Sequence, residues 1–334
     1  MLASAIVLAH GPEPLLLPCV EALAAAGADE ILVVDNEAAP GSIAQVASLP
    51  GVHILRPDRN LGYAGGCNLA AGKARGDVLV FVNSDAIVAP DAVRVLVDRV
   101  SDPAVGLACG SIRLADDPEL LNSAGNPVHY LMFSWAGSLG DPAASHPDPA
   151  EVASISGATF AVRREVWEHL GGFDDTYFAY CEDVYLSLRA WQAGYRVVYE
   201  PDAIAVHHYD FGRHRAKHYL LERNRLMNLV LLPEKRTRWL LAPPAAAVEL
   251  GVLLVAMRDG WAADKIAGWR WLAAHRRELI GHRRVAQATR IVPDRDLAHL
   301  LRGPLDPPPG LGPNVPGVVS RVLDRYWAWA AGRL

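Results

Sequence analysis

Short runs of aliphatic and β-branched residues alternate with helical patterns in the first half of the chain. Apolar runs at 4–9, 30–36, 52–57 and 77–85 predict four strands, with helices between them at 14–27, 42–51 and 65–76. The last run, DVLVFVNSD, is apolar at successive positions, which is typical of strands buried on both faces. The pattern predicts an α/β fold, a doubly wound and mainly parallel sheet with helices on both faces.

The second half of the chain has a less regular pattern. Residues 101–153 predict an irregular section whose Pro/Ala/Asp-rich part, 140–154, forms a mobile loop between two sheet segments. Beyond it we expect a strand, a short helix from about Arg164, a helix that ends near Gly194, and two short strands separated by Pro201. From His218 onward the pattern predicts helices. We therefore expect two domains, at 1–212 and 213–334, the first with halves near 1–100 and 101–212.

Composition and charge narrow the choice of partners. The 334 residues are enough for a sizeable core, and the four cysteines lack the spacing of a zinc site. The start, MLASAIVLAHG, predicts a first strand and no signal peptide, so we expect a cytoplasmic protein. Net charge is −5, yet residues 213–290 hold 16 Lys/Arg against 6 Asp/Glu. Such an asymmetry indicates that one region faces an anionic surface, either nucleic acid or a membrane leaflet.

The C-terminal apolar runs favour the membrane over nucleic acid. The run at 239–257 is about as long as a membrane span, but Pro243, Pro244 and Glu249 are expected to interrupt it. The segment 268–284 mixes tryptophan and leucine with a dense basic face, the composition of an interfacial helix. We expect peripheral docking on an anionic membrane surface and no nucleic-acid binding. A soluble helical cap and a homodimer interface are the alternatives.

Polar residues follow the predicted strands on the edge where ligands bind in such sheets. His10 follows the first strand, Asp35 and Asn36 end the second, and Asn83-Ser84-Asp85 end the fourth. Any one of these clusters is commonly a turn former, but three at one edge indicate a ligand site. The stretch RNLGYAGGCNLA (59–70) adds glycines that permit close approach of an anion or a base. The GxGxxG fingerprint is absent after the first strand, which argues against a nicotinamide enzyme.

Two adjacent carboxylates, Glu182 and Asp183, stand between aromatic residues and a predicted helix in FAYCEDVYLSLRAW (178–191). Acids in the first turn of a helix complement its dipole, and this alone is a sufficient reason for their position. The alternative is catalysis, because a carboxylate in a partly apolar pocket has a raised pKa that suits a general base.

Seven segments, taken in order, resemble the inverting family 2 glycosyltransferases of the GT-A fold, and among them the bacterial rhamnosyltransferase-type branch. The resemblance covers residues 4 to about 230 and depends on the order and spacing of the segments. These are Asp35, NLGYAGGCN (60–68), NSD (83–85), SGATFAVRREVWEHLGGFDDTYF (156–178), YCEDVYLSLR (180–189), His207-His208 and ERNR (222–225). The resemblance implies a GT-A fold at 1–212, with a nucleotide-sugar half near 1–100 and an acceptor half near 101–212.

The resemblance also implies where a nucleotide-diphosphate donor binds. Asp85 is the last acid of a DXD-type motif that holds Mg²⁺ or Mn²⁺ on the diphosphate. Asn83 stands where the family usually has the first Asp, so His207 is the second candidate metal ligand. The implied nucleotide-binding residues are His10, Asp35, Asn60, Gly62, Gly66, Asn68, Asn83 and Asp85.

For catalysis the resemblance assigns the ED pair. Asp183 is the expected base that takes the proton of the acceptor hydroxyl, and Glu182 orients it or hydrogen-bonds the acceptor. We expect the acceptor near Gly157, Ala158 and Tyr180. Arg223 and Arg225 are expected at the diphosphate, and two arginines on a solvated or membrane-facing helix are the alternative.

The sequence thus predicts a metal-dependent inverting glycosyltransferase on the inner face of the plasma membrane. The donor is expected to be dTDP-rhamnose or a UDP-sugar, with GDP-sugars open, and the acceptor a saccharide or lipid-linked glycan. One alternative is a non-catalytic membrane-associated scaffold with the same fold. Another is a sugar-1-phosphate nucleotidyltransferase, which normally needs a basic, glycine-rich loop where this sequence reads AHGPEP (9–14).

Overall fold

The computed structural model describes residues 1–208, 217–308, 311 and 315–334. The strands are β1 (Ala3–Gly11), β2 (Glu30–Ala38), β3 (Val52–Leu55), β4 (Val78–Asn83), β5 (Ala86–Val88), β6 (Val105–Leu114), β7 (Leu121–Ser123), β8 (Val128–His129), β9 (Ala150–Glu151), β10 (Thr159–Arg163), β11 (Arg196–His207) and β12 (Leu301–Arg302). The helices are α1 (Leu16–Ala25), α2 (Pro40–Val46), α3 (Gly62–Ala71), α4 (Ala92–Val100), α5 (Arg164–Leu170), α6 (Glu182–Gln192), α7 (Lys217–Leu231), α8 (Lys235–Asp259), α9 (Ala262–Ala274), α10 (Arg276–Ala288), α11 (Asp294–Leu297) and α12 (Gly317–Ala331).

The chain forms two compact units. The sheet unit holds residues 1–126, 136–190 and 195–208, and the helical unit holds 127–135, 191–194 and the described residues from 217 to 334. The helical unit thus takes in a segment, 127–135, that the sequence assigns to the first domain. The predicted border at 212–213 lies outside the described residues.

The sheet unit is built on one ten-stranded mixed sheet. Its order is β3-β2-β1-β4-β10-β6-β11-β5, with β7 beside β6 and β9 beside β11. Strands β1 to β4, β6 and β11 run in one direction, and the other four run opposite. Leu8 pairs with Asn83 and Ala9 with Asp35, so β1, β2 and β4 end at one edge. Because β10 is antiparallel to β4, it begins at that same edge with Thr159.

Helices cover both faces of this sheet. Val7 and Val33 pack on one face in a cluster with Leu23 of α1. On the opposite face the ring of Phe81 stacks on that of Trp167 in α5, with centroids 4.8 Å apart. Successive strand residues point to opposite faces, so an unbroken apolar strand needs cover on both. The predicted α/β class with two covered faces is confirmed.

The predicted irregular section at 101–153 is wrong at its start, where β6 runs through the middle of the sheet. Eight of its ten residues are buried. Gly106 and Gly110 made this segment look irregular in the sequence, because glycine is typical of turns. A Cβ at Gly106 would lie 2.6 Å from Cβ of Tyr195, and one at Gly110 would lie 2.2 Å from the carbonyl oxygen of Ala203. These glycines serve close approach between neighbouring segments.

The two strands predicted around Pro201 are one strand, β11. Its pairing with β6 passes from Glu200 opposite Gly110 directly to Ile204 opposite Ser111. Residues 201–203 therefore bulge out of the ladder, and the bulge absorbs a proline that has no N–H to donate.

The helical unit has its own core. The rings of Tyr130 and Trp327 stack with centroids 4.9 Å apart, in a cluster that includes Leu241 and Leu323. The segment 127–135 joins α8 and α12 through this cluster. The helices predicted from His218 onward are confirmed.

The interruption predicted at Pro243 and Pro244 is wrong, because α8 is continuous from Lys235 to Asp259. Pro244 has no N–H for the carbonyl of Leu240, one turn earlier. The hydroxyl of Tyr326 donates to that carbonyl instead, at 2.6 Å. Among the described residues, α8 is the one helix long and apolar enough to cross a membrane, a property that core helices of soluble proteins share.

We expect Gly110→Ala to lower the free energy of unfolding by about 1–3 kcal/mol. The new methyl group must displace the backbone carbonyl of Ala203, which cannot rotate away as a side chain does. Urea unfolding measures the change. Gly41→Ala in α2 is the control, because no atom lies within 4 Å of its Cβ. Equal effects of the two substitutions would contradict the close approach of β6.

Candidate active site

Four predicted nucleotide-binding residues lie close together near the ends of β1 and β2. His10 and Asp35 belong to these two strands, and Asn60 and Gly62 are held near them by hydrogen bonds. Oδ1 of Asn60 accepts from Nδ2 of Asn36 at 2.9 Å and from the N–H of Gly62 at 2.8 Å. Nδ1 of His10 lies 2.9 Å from the carbonyl oxygen of Asn36 and 3.3 Å from Nδ2 of Asn60. Asp35 is the fourth, next to Asn36. His10, Asn36, Asn60 and Gly62 therefore form one polar network at the ends of β1 and β2.

Asp35 also meets a cation that the sequence analysis missed. Its Oδ2 lies 3.5 Å from Nε of the exposed Arg56, and its Oδ1 accepts from the N–H of Ala38 at 3.1 Å. Arg56 directly follows β3, so its position after a strand end was the available signal. The pair places a carboxylate and a guanidinium group next to the polar network.

Gly62 allows the turn before α3 to approach the loop that precedes α6. Its φ is +70°, and a Cβ there would lie 2.3 Å from the carbonyl oxygen of Phe178. That carbonyl accepts from the N–H of Ala64 at 3.1 Å. The glycine is therefore required by both backbone conformation and close contact.

Two other predicted nucleotide-binding residues have packing partners. A Cβ on Gly66 would lie 2.1 Å from Cδ1 of Leu8, so this glycine sets α3 on the sheet. Asn68 donates to the carbonyl of Phe173 at 2.9 Å and accepts from its N–H at 3.1 Å. These contacts favour a structural role for Gly66 and Asn68 over contact with a nucleotide.

The two predicted metal ligands meet beside the end of β4. Oδ1 of Asp85 lies 3.1 Å from Nε2 of His207, and both side chains are buried. Nδ1 of His207 lies 3.2 Å from Oδ1 of Asn122, and Nδ2 of Asn83 lies 3.5 Å from Nε2. Asn122, in the short β7, carries no signal in the sequence. Among the described residues no group of three or more His, Cys, Asp and Glu side chains is placed to hold a metal.

Glu182 and Asp183 begin α6 with unequal surroundings. Glu182 is buried, and its Oε2 has no hydrogen-bond partner in the described chain. Asp183 is half-buried; its Oδ1 accepts from the N–H of Val184 at 2.8 Å, and the nearby backbone N–H of Gly157 lowers the pKa of its carboxyl group. Burial, and then the charge of Asp183, raises the pKa of Glu182. Burial also raises the pKa of Asp183, while the backbone donors oppose that rise.

A strained turn carries the chain into this pair. Phe178, Tyr180 and Cys181 all have positive φ, at 63°, 72° and 65°. With ψ of −63° at Phe178 and a 2.7 Å bond from the N–H of Ala179 to the carbonyl of Tyr177, the turn is a γ-turn of the rare, strained kind. Strain of this kind persists only where surrounding contacts enforce it, and it concentrates at functional sites.

The Asp85–His207 pair and the Glu182–Asp183 pair are linked through two adjacent residues just before β10. Ala158 accepts from the N–H of Asn83 at 2.9 Å, and Gly157 lies beside Asp183, whose Oδ2 is 3.9 Å from where a Cβ of Gly157 would stand. These are two of the three predicted acceptor residues. The third, Tyr180, is half-buried, and burial followed by the nearby Glu182 raises its pKa to about 12.

Two further residues at this point were missed although they lie in a quoted motif. The hydroxyl of Tyr63 donates to the carbonyl of Gly157 at 3.0 Å. Burial, and then the charge of Glu182, raises the pKa of the Cys67 thiol, which shares a hydrogen bond with Tyr63. In NLGYAGGCN the helix spacing places Tyr63 and Cys67 one turn apart, and that spacing was the available signal.

Arg223 and Arg225 belong to the helical unit, where both are buried. Arg225 forms ion pairs with Glu222, at 2.9 Å, and with Glu249. Lys265 also pairs with both carboxylates, so the four charges form a closed network. Burial would raise the pKa of Glu222, but Arg225 and Lys265 outweigh it and lower the pKa to about 2. The predicted contact of both arginines with a diphosphate stays a prediction.

Comparison with known families decides the class of the protein. The profile of "Glycosyl transferase family 2" matches residues 4–171, half of the chain. The chain belongs to glycosyl transferase family 2. The resemblance seen in the sequence is thereby confirmed, and this family 2 glycosyltransferase is an enzyme of that class. The nucleotidyltransferase and scaffold alternatives lose their support.

Relatives of the family 2 glycosyltransferase include two bacterial enzymes. It is 29% identical over 240 residues to the N-acetylglucosaminyl-diphospho-decaprenol L-rhamnosyltransferase of Mycobacterium tuberculosis, covering 64% of this chain and 77% of the relative. It is 27% identical over 190 residues to the O-antigen chain rhamnosyltransferase RfbN of Salmonella typhimurium, covering 55% and 58%.

Solved structures confirm the fold. The chain superposes on GalNAc-T7 with UDP, GalNAc and Mn²⁺ at a TM-score of 0.60 and 17% identity, over 74% of this chain and about half, 51%, of that one. It superposes on mannosyltransferase PcManGT from Pyrobaculum calidifontis with GDP-Man and Mn²⁺ at a TM-score of 0.52 and 19% identity, over 86% and 85%. At such identities the likeness establishes the GT-A fold alone.

We expect the Glu182→Gln variant to be more stable than the native protein at pH 8, by a margin larger than at pH 5. A raised folded-state pKa means that folding favours the protonated carboxyl, so stability falls as pH rises above the ordinary value of about 4.3. The amide removes this penalty, and its advantage over the native protein should grow by at least about 1 kcal/mol between the two pH values.

Urea unfolding at both pH values measures this effect. Glu168→Gln on the exposed face of α5 is the matched control, and its difference from the native protein should not change with pH. If the difference in unfolding free energy between Glu182→Gln and the native protein were also independent of pH, burial of an ionisable pair at the start of α6 would be contradicted.

Proposed function

We propose that this glycosyltransferase transfers a sugar from a nucleotide-diphosphate donor to an acceptor hydroxyl with inversion, in a single displacement. The observation that carries the proposal is the junction at Gly157 and Ala158, which joins the Asp85–His207 pair to Asp183. A donor diphosphate at the first and an acceptor hydroxyl at the second would stand on either side of the reacting carbon. In-line displacement needs this arrangement.

Asp183 is the proposed base. Its carboxylate is half-buried, which leaves access for an acceptor, and the N–H of Val184 holds it beside Gly157. It takes the hydroxyl proton as the acceptor oxygen bonds to the anomeric carbon and the bond to the diphosphate breaks. Glu182 is deeply buried and better suited to keep its proton, so that its hydroxyl can orient Asp183 or bind the acceptor.

The residues at the end of β4 fit Mg²⁺ or Mn²⁺ bound with a diphosphate. Such a metal keeps several waters and takes only one or two protein side chains, and Asp85 and His207 are two. A proton on Nδ1 of His207, donated to Asn122, leaves the Nε2 lone pair directed at Oδ1 of Asp85. A shared cation makes that arrangement favourable. When bound, the metal offsets charge that develops on the leaving diphosphate.

The relatives narrow the substrates. Both bacterial relatives are named as rhamnosyltransferases, and one is named for a diphospho-decaprenol acceptor. We propose dTDP-rhamnose as the donor, with a UDP-sugar as the second candidate, and a saccharide or lipid-linked glycan as the acceptor. A lipid-linked acceptor places the enzyme in the cytoplasm at the inner face of the plasma membrane, with 1–212 as the catalytic domain and 213–334 as the membrane-associated region.

Asp183→Asn should lower the turnover number by at least about 100-fold, because the amide cannot take the acceptor proton. Nucleotide affinity should stay within a few-fold, since the base does not touch the donor nucleotide. Transfer of radiolabelled rhamnose and calorimetric titration with dTDP measure the two quantities. Asp98→Asn on exposed α4 is the control and should match the native enzyme. Native turnover by the Asp183 variant would remove it as the base.

Nucleoside diphosphate binding should depend on metal. We expect one of dTDP, UDP and GDP to bind more tightly with Mn²⁺ than without, and Asp85→Asn to lose at least about tenfold of that metal enhancement, because one of two protein ligands is gone. Calorimetric titration of each nucleotide, with and without Mn²⁺, tests this. Affinity that is independent of Mn²⁺ in the native protein would exclude the proposed metal site.

A further inference from the structure

One face of α8 presents an unbroken apolar surface to solvent. Its exposed positions recur every three or four residues, and all of α8 is described by the structure. Large side chains there are strongly exposed: Trp239 at 73%, Leu250 at 63%, Leu254 at 67% and Met257 at 63%. From Trp239 to Met257 the face is about 27 Å long. We name this surface the α8 stripe; it consists of Trp239, Ala242, Pro243, Ala246, Ala247, Leu250, Gly251, Leu254 and Met257.

A second side of α8 is fixed to the helical unit by charge. Glu249, near the middle of the helix, pairs with Arg225 of α7 and with Lys265 of α9 at 2.8 Å. The indole N–H of Trp269 donates to the same carboxylate at 2.6 Å. Breaking such a buried network would leave charges uncompensated, which is strongly unfavourable. Glu249 lies about 100° around the helix from Leu250, so the network holds α8 along one side of the stripe.

This network argues against α8 as a membrane span. At about 37 Å the helix is long enough to cross a bilayer. Crossing would bring Glu249 to the middle of the hydrocarbon, together with Arg225 and the fully buried Lys265 that are bonded to it. It would also draw in α7 and α9, which carry further charged residues. The α8 stripe can contact lipid without these costs only if α8 lies along the membrane surface and does not cross the bilayer.

The charges at the ends of the stripe indicate which surface it meets. Lys235, Arg236 and Arg238 precede Trp239, and Arg258 follows Met257. Lys235, Arg236 and Arg258 are exposed. An apolar face between basic ends is complementary to the anionic headgroups and the adjoining acyl chains of a lipid leaflet.

We propose that α8 lies lengthwise in the interface of an anionic membrane, with the α8 stripe at the boundary of headgroups and acyl chains. Its basic ends bind lipid phosphates, and Glu249 stays in its ion pairs with Arg225 and Lys265 inside the helical unit. The inference deepens the membrane part of the proposed function, and it rests on that function only for the presence of a membrane near the acceptor.

Vesicle flotation of the full chain tests this. With vesicles of phosphatidylcholine and about one-third phosphatidylglycerol, the native protein should float, and the Leu250→Glu/Leu254→Glu variant should bind at least about tenfold more weakly. Ile291→Glu is the matched control, because Ile291 is 76% exposed but lies outside α8. It should bind within about twofold of the native protein. Alkaline carbonate should release the native protein.

Four outcomes would overturn the proposal. The first two are full vesicle binding by the double variant and no vesicle binding by the native protein. The third is retention of the native protein on vesicles after the carbonate wash. The fourth is a double variant that loses self-association and keeps its vesicle binding. Rhamnosyl transfer to a short water-soluble acceptor separates this proposal from the proposed function, and the double variant should retain native transfer. Absence of transfer in the native protein, with normal flotation, would sink the proposed function and leave the membrane assignment standing.

Discussion

The candidate site depends on one backbone feature, the left-handed turn that brings Glu182 and Asp183 to the edge of the sheet. Side-chain-bearing residues take up such conformations at a free-energy cost of order 1–3 kcal/mol each, so surrounding contacts must enforce them. Gly62 permits this turn, because only a residue without Cβ fits against the carbonyl of Phe178, and the N–H of Ala64 holds that carbonyl. The turn before α3 and the turn before α6 are therefore in direct contact, and this contact joins the polar network at Asn60 and Gly62 to the segment that precedes the carboxylate pair.

Placing two carboxylates side by side in a buried position has an electrostatic consequence. Both pKa values rise through burial, and the charge of Asp183 then raises that of Glu182 further. The backbone donors from Gly157 and Val184 favour ionised Asp183, whereas Oε2 of Glu182 has no partner in the described chain. The two neighbouring carboxylates therefore have unequal electrostatic surroundings, and local hydrogen bonding accounts for the difference more than residue type does.

The sequence predicted those parts of the site that depend on strand ends and failed where packing decides. Parallel strands must end together, so His10, Asp35 and Asn83 could be placed at one edge from periodicity alone. The meeting of Asp85 and His207 followed from the family resemblance, and the register of β11 brings it about. Asn122 and β6 were out of reach, because no pattern distinguishes a packing glycine from a turn glycine. For Gly66 and Asn68 the nucleotide contact stays a prediction, and nothing in the sequence indicated their packing contacts, since a glycine-rich turn looks the same whether it faces a ligand or a sheet.

The charge asymmetry in the sequence acquires a more definite meaning in the helical unit. Arg225, Lys265, Glu222 and Glu249 neutralise one another inside it, so the excess of ten positive charges between residues 213 and 290 is carried entirely by other residues. A buried network that used up the surplus would have removed the argument for an anionic partner. Because it is neutral, it stabilises the packing of α7, α8 and α9 without reducing the basic excess of residues 213–290.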